Sequence, residues 1–411
     1  MHTQQKNENR NKREYGAENI EDAGRYILEL IKCSLHGMCP PEIPENCNWK
    51  QVVYLAVKNS VTSTISPAVK KYEGEIPEEI RKKIEEALPA TVYRLLRFQI
   101  ERENIFAKLE QKKIAYLPLK GILLADYYPA AGMRWMCDND ILYGNAADNR
   151  MHNEDCNADS DAERLAEELE SVMTELGYMP EHVGGVHDVY QKKPFFNFEM
   201  HRKLVPEDST FAKYYENPWD RAHLVNGKMY EYHFSDEDEY IYMLVHAYKH
   251  YDVSGCGIRT LVDEYVFLNK RNSMDWKYIE EQLELIGLNS FEKRLRTAAT
   301  ATFSMGGVIT EQDWKMISYM FNCGTYGTMS NRIRRNLEKL QDENGLDQSG
   351  ARRRYLKERF FGNEKFIKES YPFFYRHKKL RFVLPFYRVM KGLVTHPGTL
   401  YYEWKNIRKY R

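Results

Sequence analysis

The stretch RWMCDNDILY, residues 134–143, sets two carboxylates one residue apart in front of an apolar run. Residues i and i+2 of a β-strand point the same way. A strand through Asp138, Asn139 and Asp140 therefore puts two like charges on one face. Such a pair is unfavourable unless a cation or a proton stands between the charges. The pattern alone is weak, because chance supplies about nine acid-x-acid pairs in a chain with 60 acids among 411 residues. Its surroundings give it weight.

Upstream, Ile114 to Leu119 is a short apolar run broken by Pro118 and followed by Lys120-Gly121; Ile122 to Tyr127 fits a short helix. Downstream, residues 144–161 form a polar loop without periodicity. Residues 162–176 then place Leu165, Leu169, Val172, Met173 and Leu176 on one helical face, with Gly177 as a natural C-cap. HDVYQKK (187–193) and PFFNFEMHRKL (194–204) read as paired strands. In the second, Phe196, Phe198 and Met200 alternate with Asn197, Glu199 and His201, which puts a third acid, Glu199, on a polar strand face. Strand, helix, strand, strand is a small α/β unit.

Both flanks read as helical. From Glu18 to about Leu109, apolar residues recur at helical intervals, and Pro77 followed by acids suits a helix start. Leu95, Phe98, Ile105 and Leu109 share one stripe, which Arg102 interrupts. Residues 236–251 and 257–270 are expected helices. We divide the chain into a disordered tail (1–17), an N-terminal helical region (18–110), an α/β core (111–205), a helical domain (206–330) and a basic C-terminal helical region (331–411). The fold class is α+β, mostly helical around a small mixed sheet.

The chain carries 43% hydrophobic and 13% aromatic residues, enough for a sizeable core. Its formal charge is zero, but residues 351–411 hold 17 Lys and Arg against 4 Glu and no Asp. That asymmetry fits either a solvated helical surface or a basic face for an anionic partner, nucleic acid included. The seven cysteines show no CxxC spacing, which speaks against a disulfide framework or zinc ribbon and fits a reducing cytoplasm. The polar start is no signal peptide, and no apolar run approaches a membrane span. His246 and His250 have the i, i+4 spacing of a zinc pair, but with no obvious third soft ligand they read as packing or substrate-side residues. Asp263 reads as a structural partner to those helices.

Two carboxylates on one strand and a third on a neighbour suit Mg²⁺, which takes oxygen ligands and leaves room for phosphate oxygens. Two such ions clamp an in-line phosphoryl transfer. The segment from Leu117 to Tyr143, LPLKGILLADYYPAAGMRWMCDNDILY, resembles the nucleotidyltransferase signature of the DNA polymerase β superfamily. More closely it resembles a bacterial family of uncharacterised nucleotidyltransferases, patterned LKG…L…YY…R…DIDLLV. ELGYM, FEMHRKL and MLVHAYKHYDVSGCGIRTLVDEYVFL follow in that family's order, so the resemblance runs from about Trp49 to the C-terminus.

The resemblance implies a polymerase-β-like core, Mg²⁺ or Mn²⁺ as metal and an NTP as substrate, with pyrophosphate released. It implies Asp138, Asp140 and Glu199 as metal ligands and catalytic residues, with Glu199 as general base. Lys120 and Gly121 would cradle the triphosphate, and Arg134 would make a triphosphate or structural contact. The acceptor hydroxyl could belong to a small molecule, a protein or an RNA end. The sequence departs from the pattern at Asn139 (usually apolar), Ile122 (often Ser in the superfamily), Tyr143 (usually Val) and Arg202 (commonly Trp). These departures keep open a catalytically degenerate binding protein. A nucleotide-sugar glycosyltransferase is a third reading, disfavoured by the long helical region ahead of the acids.

Overall fold

The computed structural model describes residues 20–145, 158–362, 364, 367, 371–395 and 407 of the chain. The expected tail at 1–17, most of the polar loop at 144–161 and part of the basic region lie outside the described residues.

Among the described residues, four helices come first: α1 (Ile20–His36), α2 (Trp49–Lys58), α3 (Thr62–Lys70) and α4 (Glu78–Lys112). Asn48 and Gln51 close α2 with a reciprocal capping box. Pro77 occupies the cap of α4, and Glu78 and Glu79 follow in its first turn, where carboxylates meet the positive end of the helix dipole. Lys113, left-handed at φ 60°, turns the chain out of α4.

The sheet follows: β1 (Ala115–Pro118), a one-turn helix α5 (Gly121–Leu124), β2 (Asn139–Gly144), α6 (Ala158–Glu175), β3 (Met179–His182), β4 (His187–Lys192) and β5 (Phe196–His201). Its order is β1-β2-β5-β4-β3. Only β2 and β5 run parallel; the other neighbours are antiparallel. The mostly helical α+β class with a small mixed sheet is as expected. Strand β3 was not anticipated, because all four of its residues are exposed and no apolar alternation marks it.

One face of this sheet is the core. Ile141 and Tyr143 of β2, Tyr190 of β4, and Phe196, Phe198 and Met200 of β5 pack with Phe98, Ile105 and Leu109 of α4 and Leu169 and Met173 of α6. Phe98 meets Phe196 and Phe198 edge to face. Each such side chain contributes about 1.5–3 kcal/mol on burial. The opposite face is left for polar side chains.

Two short strands, β6 (Ala222–Leu224) and β7 (Tyr232–Phe234), form a separate hairpin. Helices α7 (Asp236–Val253), α8 (Arg259–Lys270), α9 (Trp276–Leu285) and α10 (Asn289–Phe303) follow. The chain divides into two compact units, and Asn19–Tyr248 with Ile258–Ser318 forms the one that holds the sheet.

This unit contains a buried acid network. Tyr240 Oη lies 2.6 Å from Glu264 Oε1 and 3.1 Å from Glu292 Oε1. Arg296 Nε donates to Glu292 Oε1 at 2.5 Å. Burial pushes the Glu264 carboxyl up from 4.5 to about 8, against the Tyr240 hydrogen bond and helped by the Glu292 charge. A folded value above the unfolded one gives stability that is complete below the unfolded value and lost as pH rises through the folded one. Glu264→Gln is therefore expected to flatten the fall in unfolding free energy between about pH 5 and about pH 8, by about 2 kcal/mol or more. Denaturant titrations across that range check it.

The other unit comprises Lys249–Gly257 and the described residues from Tyr319 onward. Its helices include α11 (Glu311–Cys323), which begins before that point, α12 (Met329–Asn344), α13 (Gln348–Phe361), α14 (Pro372–Arg376) and α15 (Leu384–Thr395). Asp252 pairs with Lys339 at 2.5 Å and Arg335 at 3.5 Å. Ile333, Leu337, Ala351 and Ile407 form a small core. Among the described residues, no helix is long and apolar enough to cross a membrane.

Candidate active site

Strand register builds the site. Asp140 of β2 pairs with Glu199 of β5, and Leu142 with His201. Side chains of paired residues share a face, and i, i+2 neighbours share it too. Asp140, Glu199 and His201 therefore rise from the polar face. On the other side of β5, His187 of β4 is paired with His201. His201 Nε2–H donates to Asp140 Oδ1 at 2.9 Å.

The β1–β2 pairing adds Lys120. Leu119 N–H donates to the Asp140 carbonyl at 3.0 Å, which brings the next residue beside the acid. Lys120 Nζ then donates to Asp140 Oδ1 at 2.8 Å. Lys120 adopts φ 49°, ψ −113°, a region that favours glycine and costs another residue about 1–3 kcal/mol. Gly121 is required by close approach, since a Cβ there would stand 2.8 Å from Arg134 Nη1.

The strand begins at Asn139, so Asp138 stands in the lead-in rather than on the strand with Asp140. Three arginines fix that lead-in. Arg94 of α4 donates to the carbonyls of Met136 (2.7 Å) and Cys137 (3.2 Å). Arg259 of α8 donates to the Trp135 carbonyl at 3.0 Å. Arg134 itself forms a buried bidentate pair with Asp263, Nε to Oδ1 at 2.7 Å and Nη2 to Oδ2 at 2.9 Å. Tyr128 Oη also donates to Asp263 Oδ1, at 2.8 Å. Asp263 is thus the structural partner of Arg134.

The charges interact strongly. Burial and then the neighbouring Asp140 and Asp138 push the Glu199 carboxyl up from 4.5 to about 7. Burial and then Asp140 also raise Asp138. Burial opposes ionisation of Asp140, but Lys120 and His201 overcome it and hold that carboxyl well below its usual range. Burial lowers the His201 imidazolium, so the ring is neutral near pH 7. Lys120 stays protonated: burial works against its charge, and Asp140 overrides burial. Asp140 and His201 are buried, while the Glu199 and His187 side chains keep 24% and 34% exposure. The cluster therefore meets solvent on the Glu199–His187 side.

Three of the four sequence departures have a matching partner. Asn139 is buried on the opposite, core face, and Arg102 Nη1 donates to its Oδ1 at 2.8 Å. The arginine that interrupts the α4 stripe and the amide between the acids are one interaction. Asn139 is buried and Arg102 half-buried, and a polar pair of this kind is costly to halve and cheap to replace whole. Asn139→Ile or Arg102→Leu alone is expected to lower stability by about 2–3 kcal/mol, and the double variant to recover most of it. Thermal unfolding of the three variants checks this. Likewise, Arg202 Nε donates to Tyr143 Oη at 3.0 Å, and Arg202 Nη2 to Asp188 Oδ2 at 2.8 Å.

Sequence reasoning missed His187 and Tyr242 and gave Arg259 no role. The Tyr242 hydroxyl is buried, interacts with the charges of Lys120, Asp140 and Glu199, and has no hydrogen-bond partner among the described residues. His246, read as a packing or substrate-side residue, acts electrostatically on Asp140. His187 was legible as a polar residue on the face of β4 that pairs with β5. Nothing local marked Tyr242, which lies in a helix with little amphipathic contrast.

A small mixed sheet carrying clustered acids between helical regions is an α+β architecture of the nucleotidyltransferase kind. A family model described as uncharacterised nucleotidyltransferase matches residues 45–304. The chain belongs to that family. No curated protein and no solved structure gives a match.

Proposed function

We propose that this chain moves a nucleoside monophosphate from an NTP to an acceptor hydroxyl and releases pyrophosphate, using a polymerase-β-like site. The observation that carries the reading is the registered pair Asp140–Glu199, joined by Asp138 and countered by Lys120. Asp138, Asp140 and Glu199 are the residues we assign to hold Mg²⁺ or Mn²⁺. The donor set suits the ion: hard oxygens, with two carboxyls raised by burial and then by their neighbours' charge, beside a buried Tyr242 hydroxyl with no partner among the described residues. When bound, the metal supplies positive charge that neutralises phosphate oxygens.

The chain's own groups do the rest. Glu199, on the solvent-facing side of the cluster, is placed to take the acceptor hydroxyl's proton. Lys120 offers a permanent charge, and the Lys120–Gly121 turn offers backbone N–H groups, to the triphosphate. Arg134 spends two nitrogens on Asp263 and presents Nη1 beside Gly121. Positioning and charge neutralisation then carry the reaction. Asn139 faces the core with Arg102, so this departure leaves the acids untouched. The acceptor class is a small molecule, a protein or an RNA, and the basic C-terminal region is the surface we assign to an anionic one.

Incubation with labelled NTP, Mg²⁺ or Mn²⁺ and cell extract tests the reading. Metal-dependent label transfer with pyrophosphate release is expected, and Asp138→Asn is expected to lower it by about a thousandfold. Release of a nucleoside diphosphate from a nucleotide sugar offered in place of the NTP would point to glycosyl transfer, and NTP binding without turnover to a binding protein.

A further inference from the structure

We propose that His187, Glu199 and His201 form a second ligand set, one that takes a borderline transition ion of the Fe²⁺-to-Zn²⁺ series in preference to Mg²⁺. It shares Glu199 with the function above and otherwise stands on geometry alone.

The β4–β5 register pairs His187 with His201, and Glu199 lies two residues before His201 on the same face. His187 Nε2 is 3.6 Å from Glu199 Oε2, and His201 Nε2 is 3.8 Å from the same oxygen. All three donor atoms lie within 4.8 Å of one another. Ligands about 2.1 Å from a tetrahedral ion stand about 3.4 Å apart. The two separations to Glu199 exceed that spacing by a few tenths of an ångström, and the widest pair by up to about 1.4 Å, which the side chains must close by rotation. Asp140 Oδ1, 2.9 Å from His201 Nε2, borders it.

The chemistry of the donors selects the ion. Two imidazoles and one carboxylate suit Fe²⁺, Co²⁺ and Zn²⁺, whereas Mg²⁺ prefers an all-oxygen octahedron. Coordination through His201 Nε2 moves its ring proton to Nδ1 and breaks the hydrogen bond to Asp140. The His187 and His201 rings lie 4.8 Å apart, tilted by 38°, on paired positions of adjacent strands. The buried Tyr242 hydroxyl, without a partner among the described residues, interacts with the Glu199 charge.

The test uses the full chain after chelation, titrated with Co²⁺, Zn²⁺ and Mg²⁺. Visible absorption reads Co²⁺–nitrogen ligation, and calorimetry reads affinity. The expected result is a Co²⁺ d–d band displaced by Zn²⁺, with Zn²⁺ bound far more tightly than Mg²⁺. His187→Ala and the polar His187→Gln, each checked for fold by circular dichroism, are both expected to lose the band. Their Zn²⁺ affinity is expected to fall by about tenfold or more. No band in the native chain, or Zn²⁺ affinity unchanged in both variants, overturns the proposal. Catalytic turnover is not read, so failure of nucleotidyl transfer leaves the titrations to decide alone.

Discussion

Glu199→Gln is expected to end nucleotidyl transfer and, at about pH 8 in chelator, to make the fold more stable. The loss comes from removing a proton acceptor and metal ligand at once, about a hundredfold or more in rate. The gain follows from the sign of the shift. Burial, Asp140 and Asp138 raise the folded carboxyl from 4.5 to about 7, so ionising it in the fold costs more than ionising it in the unfolded chain. That cost is absent below the unfolded value, grows as pH rises and is complete above the folded one. At about pH 8 the amide escapes it, a gain of about 2–3 kcal/mol at most. At about pH 4 the variant and the native chain should be equally stable. Divalent metal reverses the order, because it binds the native fold more tightly than the variant, which keeps only Asp138 and Asp140 of the three ligands. Thermal unfolding at both pH values, with chelator and with Mn²⁺, measures all of this. Lower stability of the variant in chelator at about pH 8 would show that the Glu199 charge is matched rather than repelled.

The Arg134–Asp263 pair should give the largest stability effect. Its two short hydrogen bonds are buried, and Tyr128 completes the acceptor side. Removing one member leaves an uncompensated charge in the interior. Arg134→Leu or Asp263→Leu alone is expected to cost about 3–5 kcal/mol. The double variant should recover most of that, since apolar residues of similar volume replace buried ion pairs at little cost. Activity should not recover with it. Arg134 Nη1 lies against the Lys120–Gly121 turn, and its loss frees the turn that faces the triphosphate in our proposal. A double-mutant cycle on unfolding, with turnover measured beside it, separates the two roles. Recovery of turnover in the double variant would remove Arg134 from the site.

Much of the architecture is readable from local pattern. The alternation in FNFEMH specifies β5 and puts Glu199 on its polar side, as observed. The stripe of Leu95, Phe98, Ile105 and Leu109 specifies which side of α4 meets the sheet. The interruption at Arg102 was legible as an anomaly, and so was Asn139, but not that one answers the other, 37 residues apart. The sequence placed both Asp138 and Asp140 on a strand; the strand starts between them, because arginines from α4 and α8 hold the preceding segment as an irregular lead-in.

By itself, then, the sequence determined most of the elements, and which side of β2 and β5 is polar. Those properties depend on residues a few positions apart, and the 2.0 and 3.6 periods record them directly. Only the tertiary structure decided which polar groups share the site. Setting β5 parallel to β2 chose Glu199 as the partner of Asp140. Packing of α7 and α8 delivered Tyr242 and Arg259 to the acids, and gave Arg134 a carboxylate 129 positions away. A buried charge must find its counterpart in space, and no local pattern encodes where along the chain that counterpart lies.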